Sequence, residues 1–331
     1  MPMFRRTVTS ESHRAARNFL LGERSLRAYF AGGNVRFLQD AEANFAALDP
    51  EDQKFKDARF YLGVTKTELR KTNESIAIFE DLQKDSDNKE LSSQISLQLA
   101  YAHIKNYKED DYWAAKKELD KVTKNADELG SEELRLQAKA LEAFLLSVLA
   151  GRSEKSDLPQ RLHYASEAID RAQSLLNDIG ADSDAVSKQA LKFEALNALG
   201  IAWMRRGELG GDDERAQSWV RSRKYYDEAL KIIPSSVRVL QNITQLLMLQ
   251  ADHNSIDGAR VQLEEAKQYC ERSLEVSDQD QFPFLLLARI SNRLGDGKSA
   301  LEYIRIGRLR PGAVKEESWI KEEKRAQNIS G

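Results

Sequence analysis

One spacing recurs along this chain and limits what it can fold into. A small residue is followed four positions on by a large apolar one, and three further on by a small or apolar one. It reads Ala41–Phe45–Leu48, Ser75–Phe79–Leu82, Ala115–Leu119–Val122, Ala165–Ile169–Ala172, Ser222–Tyr226–Ala229, Ala266–Cys270–Ser273 and Ala300–Ile304–Gly307. Such offsets place all three side chains on one face of a helix. Each copy therefore marks a helix that needs a neighbour to cover its stripe, and stacking one unit on the next supplies it.

The clearest unit lies near the C-terminus. Phe284, Leu287 and Ser291 share one face of a first helix. Gly295 sits where that helix must stop, because glycine takes the left-handed conformation without penalty. Ala300, Ile304 and Gly307 stripe a second helix, and small residues at Ala288, Ala300 and Gly307 let the two approach closely. Pro311 ends the unit, since it has no amide proton for the next helical hydrogen bond. A second good unit runs from Leu199-Gly200 and Trp203 through Trp219 and Tyr226 to Pro234.

This pattern resembles the tetratricopeptide repeat, a helix–turn–helix of about 34 residues. The first and last steps between copies, Ala41 to Ser75 and Ala266 to Ala300, are 34 residues, and the steps between them are 40, 50, 57 and 44. Longer helices or inserted loops must fill the difference. The candidates are residues 108–111, 152–159, 207–214 and 252–257, with the register least defined over 132–149. The resemblance implies an all-α, right-handed superhelical solenoid of about seven helix pairs over residues 13–312. A capping helix over 313–328 would turn Trp319 and Ile320 inward, and residues 1–12 would be a flexible N-terminal segment.

Composition agrees. The 331 residues include only 17 glycines and 6 prolines, too few turn-formers for many β-hairpins. The 50 basic and 53 acidic side chains nearly cancel, whereas nucleic-acid binding usually leaves a strongly basic footprint. The single cysteine, Cys270, excludes an intrachain disulfide and fits a reducing compartment. Met1 to Ser12 lacks the apolar stretch of a secretion signal. No apolar run reaches the roughly 18 residues of a membrane span, so the expected location is cytoplasmic.

The sequence offers no enzyme chemistry. It lacks a phosphate-binding loop and a paired-histidine zinc helix. Residues 207–211 are glycine-rich but follow a helix, so an inter-helix turn is expected rather than a nucleotide loop. His13, His103, His163 and His253 have no partner at ligand spacing. Cys270 holds the large position of a stripe and reads as a small buried hydrophobe. No catalytic residue, metal or cofactor is expected.

In the tetratricopeptide family the first helix of each pair lines a concave groove that holds a peptide. Carried onto this chain, that resemblance implies contacts from Tyr101 and Lys105, from Asn197, Ile201 and Arg205, from Arg238, Gln241, Asn242 and Gln245, and from Arg289, Asn292 and Arg293. Arg238 and Asn242 have the spacing of the family's carboxylate clamp. Phe282, Leu285 and Leu286 then stand where further polar residues belong, so the clamp is incomplete. The leading expectation is a protein-binding scaffold or regulatory subunit. The alternative is a ligand- or peptide-responsive sensor acting on a separate effector chain, since few residues precede the first repeat. A third reading places nucleic acid on Arg205, Arg206, Arg221, Arg223 and Lys224, against the nearby Asp212, Asp213 and Glu214.

Overall fold

Small residues in the stripes decide how closely the helices meet. All seven first positions, Ala41, Ser75, Ala115, Ala165, Ser222, Ala266 and Ala300, are fully buried. In the computed structural model, which describes all residues except 1–2, 33, 49–55, 85, 87, 107, 153–156, 181–185, 279, 311–313 and 331, the described residues form helices and connecting turns. The helices are α1 (Met3–Gly32), α2 (Val35–Ala46), α3 (Lys56–Glu68), α4 (Thr72–Lys84), α5 (Lys89–Asn106), α6 (Glu109–Leu129), α7 (Glu132–Arg152) and α8 (Leu158–Ile179). They continue with α9 (Val186–Leu209), α10 (Asp212–Ile232), α11 (Val237–Ala251), α12 (Ile256–Val276), α13 (Gln281–Arg293), α14 (Gly297–Arg308) and α15 (Glu316–Ser330).

Two compact units, Met1–Leu141 and Glu142–Gly331, divide within α7. In the first, α1 packs on α2, α3 on α4 and α5 on α6, and α2 meets α3 as α4 meets α5. In the second, α9 packs on α10, α11 on α12 and α13 on α14, and α15 closes on α14 and α13. The part of α7 in this unit reaches α8 through Arg161, whose Nε donates to the Ala150 carbonyl at 3.0 Å. Seven pairs and a closing helix thus appear among the described residues, as the stripes require. Contacts run between successive pairs, as they do in repeat arrays.

Glycine lets the partner helices touch. A Cβ on Gly22 would lie 2.7 Å from the Phe45 ring, one on Gly63 2.6 Å from the Phe79 ring, and one on Gly200 would overlap the Tyr226 ring. Each ring is the large residue of its stripe. Where α13 must stop, Gly295 takes a φ of +82°, as its position after that helix demands.

The irregular period resides in the helices. α2, α3, α4, α13 and α14 have 12 or 13 residues, whereas α6 to α10 have 21 to 24. Residues 109–111 belong to α6, and only Gly210-Gly211 separates α9 from α10. The expected inserts there are additional helical turns.

Two expectations are corrected. α1 begins at Met3, well ahead of the expected start at residue 13, because no glycine or proline interrupts the chain between Met3 and Leu21. In α15, Trp319 is buried but Ile320 is 40% exposed. The buried stripe continues from Trp319 to Glu322 and Ala326, at helical offsets that turn Ile320 outward. Pro311, expected to end the last pair, lies outside the described residues.

Candidate partner-binding face

The first helices of the second unit stand side by side, α9 beside α11, α11 beside α13, and α13 beside α15. Their facing residues recur three and four positions apart, which places them in a line along each helix. Ten of the twelve expected contacts lie here. Tyr101 and Lys105 lie in the first unit on α5, where the Lys105 ammonium sits 5.0 Å from the centre of the Tyr101 ring.

Within the second unit these residues hold one first helix to the next. Asn242 Nδ2 donates to Asn197 Oδ1 at 3.1 Å, and the Arg238 guanidinium pairs with Glu194 beside the Phe193 ring. Between α11 and α13, Arg293 donates to the Met248 carbonyl at 3.1 Å and to Asp252 Oδ1 at 2.6 Å. Between α13 and α15, Asn292 Nδ2 donates to the Glu322 carbonyl at 2.9 Å and to its Oε2 at 3.2 Å. Arg289 stands 3.5 Å from the same carboxylate, and Arg325 3.2 Å from it.

Burial sorts the candidates. Lys105, Asn197, Ile201, Gln241 and Asn292 are buried, and Ile201 belongs to the core that also holds Trp219 and Tyr226. Tyr101, Arg205, Arg238, Asn242, Gln245, Arg289 and Arg293 are half-buried. Three buried polar atoms in the set have no hydrogen-bond partner among the described residues: Arg205 Nε, Gln241 Nε2 and Asn292 Oδ1. Buried polar groups are ordinarily satisfied, so such exceptions need a reason.

Sequence reasoning missed Glu322. Its side chain is 2% exposed and anchors both Arg289 and Asn292. Extending the stripe from Trp319 by three residues would have found it.

Away from this face, Cys270 and His103 are held by neighbouring groups. Cys270 is buried, with its Sγ 3.2 Å from the Pro283 carbonyl, and burial pushes the thiol up, so thiolate is scarce. His103 Nδ1 lies 2.9 Å from Asp111 Oδ1, and Asn106 donates to the other oxygen of that carboxylate at 2.8 Å. Thr72 donates to Asn106 in turn, at 2.7 Å. The network ties the start of α4 to α5 and α6 and offers no nucleophile. Among the described residues, no three His, Cys, Asp or Glu side chains could hold a metal ion. No described helix is long and apolar enough to cross a membrane.

The cations considered for nucleic acid do not form a free basic face. Arg205 pairs with Glu208, Arg206 with Glu214, Arg223 with Asp227 and Glu265, and Lys224 with Glu228. Arg221 stacks on the Trp203 ring, 4.5 Å from its centre.

No protein-family model and no curated protein matches this sequence. Among solved structures the chain is similar to the TPR2AB-domain:pHSP90 complex of yeast Sti1, at 15% identity, covering 84% of this chain and 96% of that one with a TM-score of 0.27. The likeness carries no conclusion about function.

Proposed function

We propose that the chain is a protein-binding scaffold or regulatory subunit, and that a segment of its partner lies across the first helices α9, α11 and α13. The observation that carries this reading is the arrangement of those helices. They form a neighbouring series with half-buried Arg205, Gln245, Arg289 and Arg293 along it, beside three polar atoms that lack partners among the described residues. Arginine and amide side chains in such a row suit peptide backbone and carboxylate groups. The incomplete clamp argues against a dedicated grip on one C-terminal carboxylate, because Leu285 and Leu286 are buried core residues.

The test is affinity purification from the native host with mass spectrometry, comparing the wild-type chain with Gln245→Glu/Arg289→Ala. Glu322 keeps Arg325 and Asn292 in that variant, so the array is expected to stay folded, which a melting curve checks. Loss of a stoichiometric protein partner supports the reading. A partner that binds both forms equally removes it from this face.

A second reading, a small-ligand sensor that controls a separate effector, draws on an open cleft of about 400 Å³ in the second unit. Leu176, Ile179 and Leu196 line it, with Lys192 and Glu228 among its polar residues. Saturable binding of a metabolite, abolished by Leu196→Trp, would favour that reading over the scaffold.

A further inference from the structure

α1 has a face that no described residue covers. Towards its partners it presents Gly22 and Leu26, with Ala15 and Phe19 alongside, to Phe45 of α2 and Tyr61 of α3. On the opposite side Arg17, Leu20, Leu21, Arg24 and Arg27 are exposed, at offsets of three and four that form one continuous ridge. Leu20 is 64% exposed and Leu21 37%. Two large apolar side chains standing together in solvent on one ridge mark an interaction surface more than isolated exposed residues do. The exposed side of α15, by contrast, carries Glu317, Lys321 and Lys324.

The charge on the ridge is one-sided. Arg27 lies 3.6 Å from Glu23, and no carboxylate among the described residues pairs with Arg17 or Arg24. α1 is also long, with 30 residues against 12 in α2, about 45 Å against about 18 Å. Gly22 and Phe19 meet Phe45 in the last turn of α2.

We propose that this ridge docks an acidic amphipathic helix of a partner protein, with two or three leucine-type side chains on Leu20 and Leu21 and carboxylates against Arg17, Arg24 and Arg27. Charge chooses this occupant over the alternatives. A second copy of the chain packed on the same face would set arginine against arginine, and like charges across an interface are costly. A helix lying on a membrane separates its apolar and basic sides, whereas here leucines and arginines share one ridge, with Arg17 before and Arg24 and Arg27 after the two leucines. An apolar centre flanked by charge is the pattern of helix-on-helix recognition. Stacking one more helix on α1 also repeats how α2 meets α3 and α4 meets α5. The ridge shares no residue with the face of α9, α11 and α13, so either reading can fail alone.

The test is selection from a displayed library of 20-residue helices with a fixed leucine stripe and randomised flanks. The full chain is the target, with counter-selection on Leu20→Glu/Arg24→Glu. Enrichment of Asp and Glu in the flanks, with affinity falling at least tenfold on the variant and unchanged on Arg293→Ala, is the expected result. Both substitutions are at exposed positions, and an unchanged melting temperature checks that the variant is folded. Selected helices that are basic or neutral, or that bind the variant equally, overturn the proposal. So does flotation on phosphatidylserine vesicles, or dimerisation in sedimentation velocity, that depends on the same two residues.

Discussion

Gly200→Ala puts the tight packing of the helix pairs to a direct test. In an ordinary helix this exchange stabilises by about 1 kcal/mol, because alanine loses less backbone entropy than glycine. Here the new methyl group would sit inside the Tyr226 ring, whose Cε1, Cδ1 and Cζ all lie closer than 3.0 Å. The ring has nowhere to go, since Tyr226 is 0% exposed and its hydroxyl is held against Met204 Sδ. Nor can α9 back away freely, because Ser222 Oγ donates to the Gly200 carbonyl at 2.7 Å. Overpacking costs roughly 1–3 kcal/mol, and an overlap with three ring atoms belongs in the upper part of that range, so at about 2–3 kcal/mol the net effect is a loss of about 1–2 kcal/mol after the propensity gain. For a unit of this size that corresponds to roughly 2–8 °C in melting temperature. In a Tyr226→Leu background the same substitution should be neutral or favourable by up to about 1 kcal/mol, because the obstructing ring is gone. Calorimetry on the four proteins of the cycle measures both terms. Hydrogen exchange places the change in α9 and α10. A Gly200→Ala variant that melts at or above the wild-type temperature would refute the contact, and with it the register of this pair.

Other consequences follow from the same packing and electrostatics. Cys270, buried and with its thiol pushed up, should resist thiol reagents in the native protein and react stoichiometrically in denaturant; rapid native labelling would contradict its placement. Glu322→Ala removes the anchor shared by Arg289, Asn292 and Arg325 and should cost about 1–3 kcal/mol. That is less than for a fully enclosed pair, because Arg289 and Arg325 reach solvent, and faster amide exchange in α15 would report the loss. Glu118 joins Gln83 of α4 and Ser96 of α5. Burial pushes its carboxyl up, but hydrogen bonds from Lys121, Gln83 and Ser96 outweigh that and hold it below the ordinary value near 4.5. Its stabilisation is therefore fully present above about pH 4.5 and fades as the pH falls through the lowered value. The stability difference between wild type and Glu118→Gln should shrink over the same range, and a difference that grew on acidification would be evidence against the network.

The parts of this molecule that could be read beforehand are those governed by a short-range rule. A stripe of small and large residues states which face of a helix is covered, so Ala41 to Ala300 could be assigned to the interior before their partners were known. Glycine after a helix states where it stops, as at Gly295. The polar positions follow no such rule. Asn197 and Asn242 are 45 residues apart and meet because α9 stands beside α11, a fact set by helix stacking rather than by either local pattern. An arginine that recognises a ligand carboxylate and one that holds Asp252 for the neighbouring helix are the same residue type at the same spacing. Only the partner distinguishes them, and Arg293 has Asp252. Helix length adds a further obstacle. From α6 to α10 the extra turns lengthen each helix past the family unit, so positions carried over from a 34-residue repeat drift around the helix, and Ile201 turns into the core. α1 was the converse case. Its Arg and Leu residues are individually unremarkable in sequence, and they become a candidate docking face only once Gly22 and Leu26 are known to point inward. That leaves Leu20 and Leu21 on the far side between Arg17 and Arg24, which pair with no carboxylate among the described residues, an arrangement that favours an acidic helix over either a bilayer or a second copy of the chain.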